Sequence, residues 1–153
     1  MKKILLTLII MLCGLGAFAS ETEALDFFNN YVKASNNYSP EVLDMYSSNA
    51  KIIRQVVKPN GELVNIPFSI KDYRKQMRIS SKLAKMRNYK NYYSDIKVTK
   101  MADKYKVEAK RKPSLSDYKL RTYMVLQQQP SGGWLIVEEL MQTKEQIFLK
   151  YAK

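Results

Sequence analysis

The chain has 153 residues, with 26 lysines and arginines against 14 acids and a formal charge of +12. It has no histidine, and its one cysteine is Cys13. Those absences exclude Ser-His-Asp and Cys-His nucleophile systems, remove the commonest general base and leave zinc without its usual ligands, so no metal or other cofactor is expected.

The first nineteen residues read as a leader. Lys2 and Lys3 form a positive start, Ile4–Leu12 an apolar run, and Ala17-Phe18-Ala19 a small-x-small cleavage pattern ahead of Ser20. The apolar run is shorter than the ~20 residues that span a bilayer. Leu12 before Cys13 departs from the small residue that precedes a lipidated cysteine. The expectation is cleavage after residue 19, a single domain over residues 20–153, and a periplasmic or secreted location with no transmembrane segment in the mature form. Without Lys2 and Lys3 the formal charge is +10, which favours contact with anionic partners.

Glu21–Asn36 carries Ala24, Phe27, Phe28, Tyr31 and Val32 at the spacing of one helix face. Asn36 to Pro40 ends that helix. Ser39 and Pro40 cap and open a short second helix, Pro40–Tyr46, and Ser47-Ser48-Asn49 breaks it. Lys51–Val57 is β-branched and reads as a strand. Pro59-Asn60-Gly61 turns it into a second strand, Glu62–Phe68. Ser69-Ile70-Lys71-Asp72 fits a capping box for a third helix, which is heavily basic from Lys71 to Arg87. After Asn88 the period changes to two. Strands are expected over Asn91–Thr99, Tyr105–Arg111, Asp117–Gln129 and Trp134–Lys144, with a turn at Ala102-Asp103 and another at Pro130 to Gly133. Ile96 and Val98 are assigned to the buried face of their strand.

Helices, a strand pair, another helix and a long meander give an α+β fold. Two stretches carry a family resemblance. Pro40 to Ile52 resembles a second helix running into a first strand, and Ser131-Gly132-Gly133-Trp134-Leu135-Ile136-Val137 resembles the turn into a last strand. Together with the element order, these resemble the nuclear-transport-factor-2-like superfamily. The resemblance implies a cone: a curved antiparallel sheet wrapped around N-terminal helices, with a pocket inside. Polyketide-cyclase-like and ketosteroid-isomerase-like members place His or Asp on the last strand, where this chain has Glu138 and Leu140.

Alternation puts Trp134, Ile136, Glu138 and Leu140 on one face of the last strand and Leu135, Val137, Glu139 and Met141 on the other. The resemblance implies that the Trp134 face lines the cone. Glu138 would then be a carboxylate among apolar neighbours, in need of a cation or donor. Arg111 and Tyr31 are the candidates, and Glu138 with Tyr31 would be a base and donor pair. Tyr31, Tyr73, Tyr105, Arg111, Trp134 and Glu138 form the expected ligand-binding set. On the outer face, Tyr123, Val125, Leu135, Val137 and Met141 form an apolar patch. A second copy in a homodimer, or the segment Glu145–Lys153 folding back, would cover it.

The expected function is an exported, non-catalytic binding or interaction module for a small hydrophobic ligand or a protein partner. The alternatives are a histidine-free isomerase, dehydratase or hydrolase, and an envelope-assembly or anionic-polymer-binding factor. No nucleic-acid module is present, so no specific nucleic-acid binding is expected.

Overall fold

The computed structural model describes residues 20–152, and the expected leader lies outside the described residues. Helix α1 covers Glu21–Asn36. A capping box starts it, in which the Ser20 hydroxyl accepts from the Glu23 N–H and the Glu23 carboxylate accepts from the Ser20 N–H. Its apolar stripe buries Ala24, Phe28 and Tyr31, as the spacing predicts. Helix α2 covers Ile70–Met86, with Ser69 as its cap. Only Tyr73 of α2 is buried, and six of the helix's 17 residues are cations.

Six strands follow the predicted order: β1 Tyr46–Val57, β2 Leu63–Phe68, β3 Asn91–Met101, β4 Lys104–Pro113, β5 Leu120–Gln128 and β6 Trp134–Thr143. They form one curved, unclosed sheet in the order β2-β1-β6-β5-β4-β3. The meander β3 to β6 returns to lie beside β1, so β1 and β6 run parallel while the other four pairings are antiparallel. The sheet expected to be antiparallel throughout therefore contains one parallel join.

Pro40–Met45 is a 3-10 helix, and β1 starts at Tyr46. The expected break at Ser47-Ser48-Asn49 lies instead within the strand, where the register against β6 shifts between Tyr46 and Lys51. Beyond the shift the inner face of β1 carries Ile52, Arg54 and Val56, all buried. The inner face of β4 alternates cleanly through Tyr105, Val107, Ala109 and Arg111.

Two bulges overturn the simple alternation elsewhere. In β3 the register against β4 shifts between Ser94 and Lys97, with Asp95 at φ 55°. Ile96 is thereby left exposed rather than buried. In β6 the register against β5 shifts: Leu126 opposes Ile136 and Val125 opposes Glu138, so Val137 is the extra residue. Past Val137 the two faces exchange. Glu139, Met141 and Thr143 turn inward, and Glu138 and Leu140 turn outward.

The core fills the concave side with Phe28, Tyr46, Ile52, Ile66, Met124 and Ile136. Asn36 fixes α1 to the start of β3: its side-chain amide donates to the Asn91 carbonyl and accepts from the Asn91 N–H, both at 2.9 Å. The C-terminal 3-10 helix, Gln146–Tyr151, sets Phe148 and Tyr151 against Phe68 with ring centroids 6.1 and 5.5 Å away. Phe68 opposes Ile52 on the inner face. The C-terminal segment therefore closes the cone side and does not cover the outer patch of the sheet.

The β3–β4 turn holds Ala102 at φ 49°, a left-handed conformation that costs an L-residue roughly 1–2 kcal/mol. Glycine is the preferred residue at such a first turn position. Ala102→Gly should raise the thermal midpoint by about 2–4 °C, the shift expected for a gain near 1 kcal/mol, measured by calorimetry.

Candidate functional site

The inward turn of Glu139 creates the most unusual group in the molecule, a fully buried carboxylate. Each of its oxygens has its own donor. Arg54 Nη1 reaches Oε1 at 2.5 Å, and the Tyr46 hydroxyl bonds Oε2 at short range. A phenol has one proton and two lone pairs. Tyr46 commits the proton to Glu139, and the Tyr31 and Tyr73 hydroxyls stand 3.2 and 3.0 Å from its oxygen. The Arg54 guanidinium also lies over the Tyr73 ring, 5.1 Å from the centroid.

Burial, and then the charge of Glu139, holds the Tyr31 and Tyr46 hydroxyls well above the usual tyrosine range. The same two causes push Tyr73 up to about 12 against the opposing charge of Arg54. Burial alone would favour loss of the Arg54 proton, but Glu139, Tyr73 and Tyr46 outweigh it and its pKa rises. The cluster is a closed network with its charges matched inside the core.

In front of this cluster lies a cavity of about 1150 Å³. Tyr31, Arg54 and Tyr73 line its inner end, whereas Glu139 and Tyr46 sit behind them. Its walls come from the end of α1, the 3-10 helix after it, the second half of α2, the β4–β5 loop, β6 and the C-terminal segment. The wall is largely apolar, with Val42, Leu43, Met77, Met141 and Phe148.

Arg111 also lines the cavity and is 3% exposed. Its Nη1 donates to Tyr89 Oη at 3.2 Å and Asn91 Oδ1 at 2.8 Å, and its Nη2 donates to the Gln142 carbonyl at 3.0 Å. It thereby ties β4 to β6 and to the start of β3. Among the described residues it forms no ion pair, and its Nε has no partner.

The structure brings three of the six expected ligand-binding residues together on this cavity: Tyr31, Tyr73 and Arg111. Tyr105 is buried and packs on Trp134, with centroids 5.7 Å apart and away from the cavity lining. Glu138, read as the pocket carboxylate, is on the outer face because of the Val137 bulge, and it accepts from the Tyr123 hydroxyl at 2.6 Å. Burial, then Glu138, pushes Tyr123 up to about 12.

Met141, assigned to the outer patch, lines the cavity for the same reason. Tyr123, Leu135 and Val137 are half-buried, and Val125 is buried by its own neighbours. The basic part of that face is partly paired: Lys106 and Arg121 both reach Glu108, at 3.1 and 2.8 Å, and Lys110 reaches Asp95 at 2.9 Å. Among the described residues no group of three or more acids or cysteines is placed to hold a metal ion, and no helix is long and apolar enough to cross a membrane.

No protein-family model matches the sequence, and no curated protein matches it. Solved structures do. An NTF2-like protein of unknown function from Pseudomonas putida KT2440 superposes with a TM-score of 0.60 at 10% identity, over 78% of this chain and 83% of that one. The fold is nuclear-transport-factor-2-like. A second NTF2-like protein of unknown function, from Shewanella oneidensis MR-1, gives a TM-score of 0.58 at 9% identity over 80% and 98% of the two chains. An NTF2-like protein with a cystatin-like fold from Novosphingobium aromaticivorans gives 0.53 at 8% identity over 81% of each. At these identities the likeness is one of fold. The α+β cone expected from the sequence is the architecture of the NTF2-like structures, and the cavity lies on the concave side of its sheet.

Arg54→Met and Glu139→Leu should each destabilise the protein by about 3–5 kcal/mol, because each leaves a buried charge unpaired. Tyr46→Phe should cost about 1–3 kcal/mol. The triple replacement should cost less than the three losses added together, measured by urea unfolding.

The tyrosines make a second prediction. Their folded pKa values lie above the ordinary value of 10.0. The unfolded chain therefore releases these protons first as pH rises. The stability they contribute is complete below pH 10 and is lost progressively as pH rises through about 12. Urea midpoints across that range, with tyrosinate absorbance followed in parallel, check both sign and window.

Proposed function

We propose that this protein is an exported binding module whose cone-shaped cavity takes a small, largely apolar ligand, and that it is not an enzyme. The observation that carries this reading is the closure of Glu139. Both of its oxygens are occupied, by Arg54 and Tyr46, and it stands behind the cavity wall. A general base must reach the proton it removes, and Glu139 is screened from the cavity by the tyrosines in front of it. The other acid of the last strand, Glu138, faces outward and is bonded to Tyr123. The cavity itself offers aliphatic and aromatic walls with a few convergent polar groups, the usual make-up of a ligand site.

A second reading rests on one specific observation. Tyr31 and Tyr73 line the cavity and meet Tyr46, which meets Glu139. That chain of hydroxyls could present a donor to a developing oxyanion, with Glu139 reached through Tyr46. Under that reading the protein is a histidine-free isomerase or dehydratase.

Export and a homodimer through the outer sheet face belong to the same proposal. Val125 and Leu140 are buried, so the apolar surface left for that interface is Tyr123, Leu135 and Val137, each half-buried.

Native mass spectrometry of the protein isolated gently from its own host tests the binding reading. The expected result is a bound apolar molecule, lost in Met77→Trp, which adds bulk to the cavity wall. A bare chain that also fails to bind an apolar fluorescent dye would sink it. Tyr31→Phe separates the two readings once a ligand is known: turnover that collapses while affinity holds supports the enzyme.

A further inference from the structure

The cavity opens through a mouth that is not dressed like an ordinary protein surface. Four large aliphatic side chains on its lining, Ile79 and Leu83 of α2, Leu115 of the β4–β5 loop and Ile147 of the C-terminal segment, are between 47% and 67% exposed. They come from three separate elements, so no single helix pattern accounts for them. Met86 continues the α2 stripe at 84% exposed. Positions 79, 83 and 86 share one helix face, and all three side chains on it are exposed. A folded monomer rarely leaves so many aliphatics in one ring without a partner.

Charge identifies the partner. Arg78, Lys82 and Arg87 line the same mouth, and Glu145 is the one acid among the described lining residues. Lys71, Arg74, Lys75 and Lys85 add to them along α2, against Asp72 alone. A helix with an exposed aliphatic stripe flanked by cations suits the boundary of an anionic bilayer, where aliphatics enter the acyl region and cations meet the headgroups. The cavity behind the mouth, at about 1150 Å³, exceeds the roughly 300–1,000 Å³ of common small-molecule pockets. An aliphatic collar in contact with the bilayer would let an acyl chain pass into that space without crossing water.

We propose that this collar docks on an anionic lipid surface and that the cavity takes an acyl chain of a lipid from it. The proposal rests on the binding reading above and names its ligand class.

Vesicle flotation tests it, using phosphatidylcholine with and without phosphatidylglycerol. The protein should float with the anionic vesicles and stay behind with the neutral ones. Ile79→Ser with Leu83→Ser should lower vesicle affinity at least tenfold. Arg78→Gln and Lys82→Gln should each lower it about fivefold. All four positions are exposed, so urea midpoints should stay at the wild-type value and show that the variants fold. An environment-sensitive dye on Leu115→Cys should shift to the blue on anionic vesicles.

The proposal fails if the wild type floats with neither vesicle, or with both equally. It fails if the collar variant floats as well as the wild type. It also fails if sedimentation shows a dimer that the collar variant splits, since a second copy then occupies the mouth. A neutral apolar dye in vesicle-free solution separates this from the parent reading. Dye binding blocked by Met77→Trp, with no vesicle binding, removes the lipid surface and leaves the binding module. No dye binding removes both.

Discussion

The bulge in β6 and the register of the β1–β6 join answer to one demand, that the carboxylate of Glu139 not be left alone in the core. Taking an isolated charge out of water costs several kcal/mol even after relaxation. The chain meets that cost with a guanidinium from the neighbouring parallel strand and a phenol from the start of the same strand. These contacts span the β1–β6 join, where the N-terminal half of the chain meets the meander. Hydrophobic side chains tolerate a slip along that join better than a buried ion pair does. A shift of one residue would turn Glu139 to the outside and strand Arg54 among Ile52, Val56 and Ile66. The pair acts as a register pin for two parts of the sheet that no tight turn connects.

Much of the architecture is legible without coordinates, and the reasons are local. Ser69 with Asp72, the stripe from Ala24 to Val32, and the turns at Asn60-Gly61 and Gly132-Gly133 are short-range signals, and each lies where its chemistry requires. The site is legible in part. Tyr31, Tyr73 and Arg111, expected on a pocket, do line the cavity, because large polar-tipped residues on inward-facing positions have few other places to go. Glu138, expected to face inward, faces outward. In Leu135-Ile136-Val137-Glu138-Glu139-Leu140 both phases of the alternation offer apolar neighbours and one acid, so the period cannot say which acid is inside. A bulge is set by the fit of a strand to its neighbours, and the β5 and β1 sides of β6 are remote in sequence. The signal that could decide lies elsewhere. Arg54 stands within Ile52-Ile53-Arg54-Gln55-Val56-Val57, where a buried guanidinium demands an acid on the inner face of a neighbouring strand, and Glu139, diagonal to it across the join, supplies one. Tyr46 is read as the end of a helix rather than the start of β1 for a related reason, since Pro40 to Met45 looks helical and nothing local announces that the next residue begins a strand.

The cavity is a consequence of composition as much as of fold. Helix α2 contributes one buried residue, Tyr73, near its start. Beyond Met77 it has too few inward aliphatics to lie down on the sheet, so its second half stands as a wall. The C-terminal segment supplies the opposite wall by placing Phe148 and Tyr151 against Phe68. A chain with three more aliphatics on the inner face of α2 would bury the space that this one leaves open.

The bulge in β3 has an effect far from the cavity. β3 is an outermost strand of the sheet, and a straight, flat outermost strand would offer its free amides to any passing chain and seed polymerisation. Here the left-handed Asp95 kinks the strand, Lys97 and Lys100 follow the kink, and Asn36 already occupies both backbone groups of Asn91. The β3 edge of the sheet is thereby made unfit for strand addition. A chain that exposes aliphatics at its mouth thereby keeps one edge of its sheet closed to pairing with another copy.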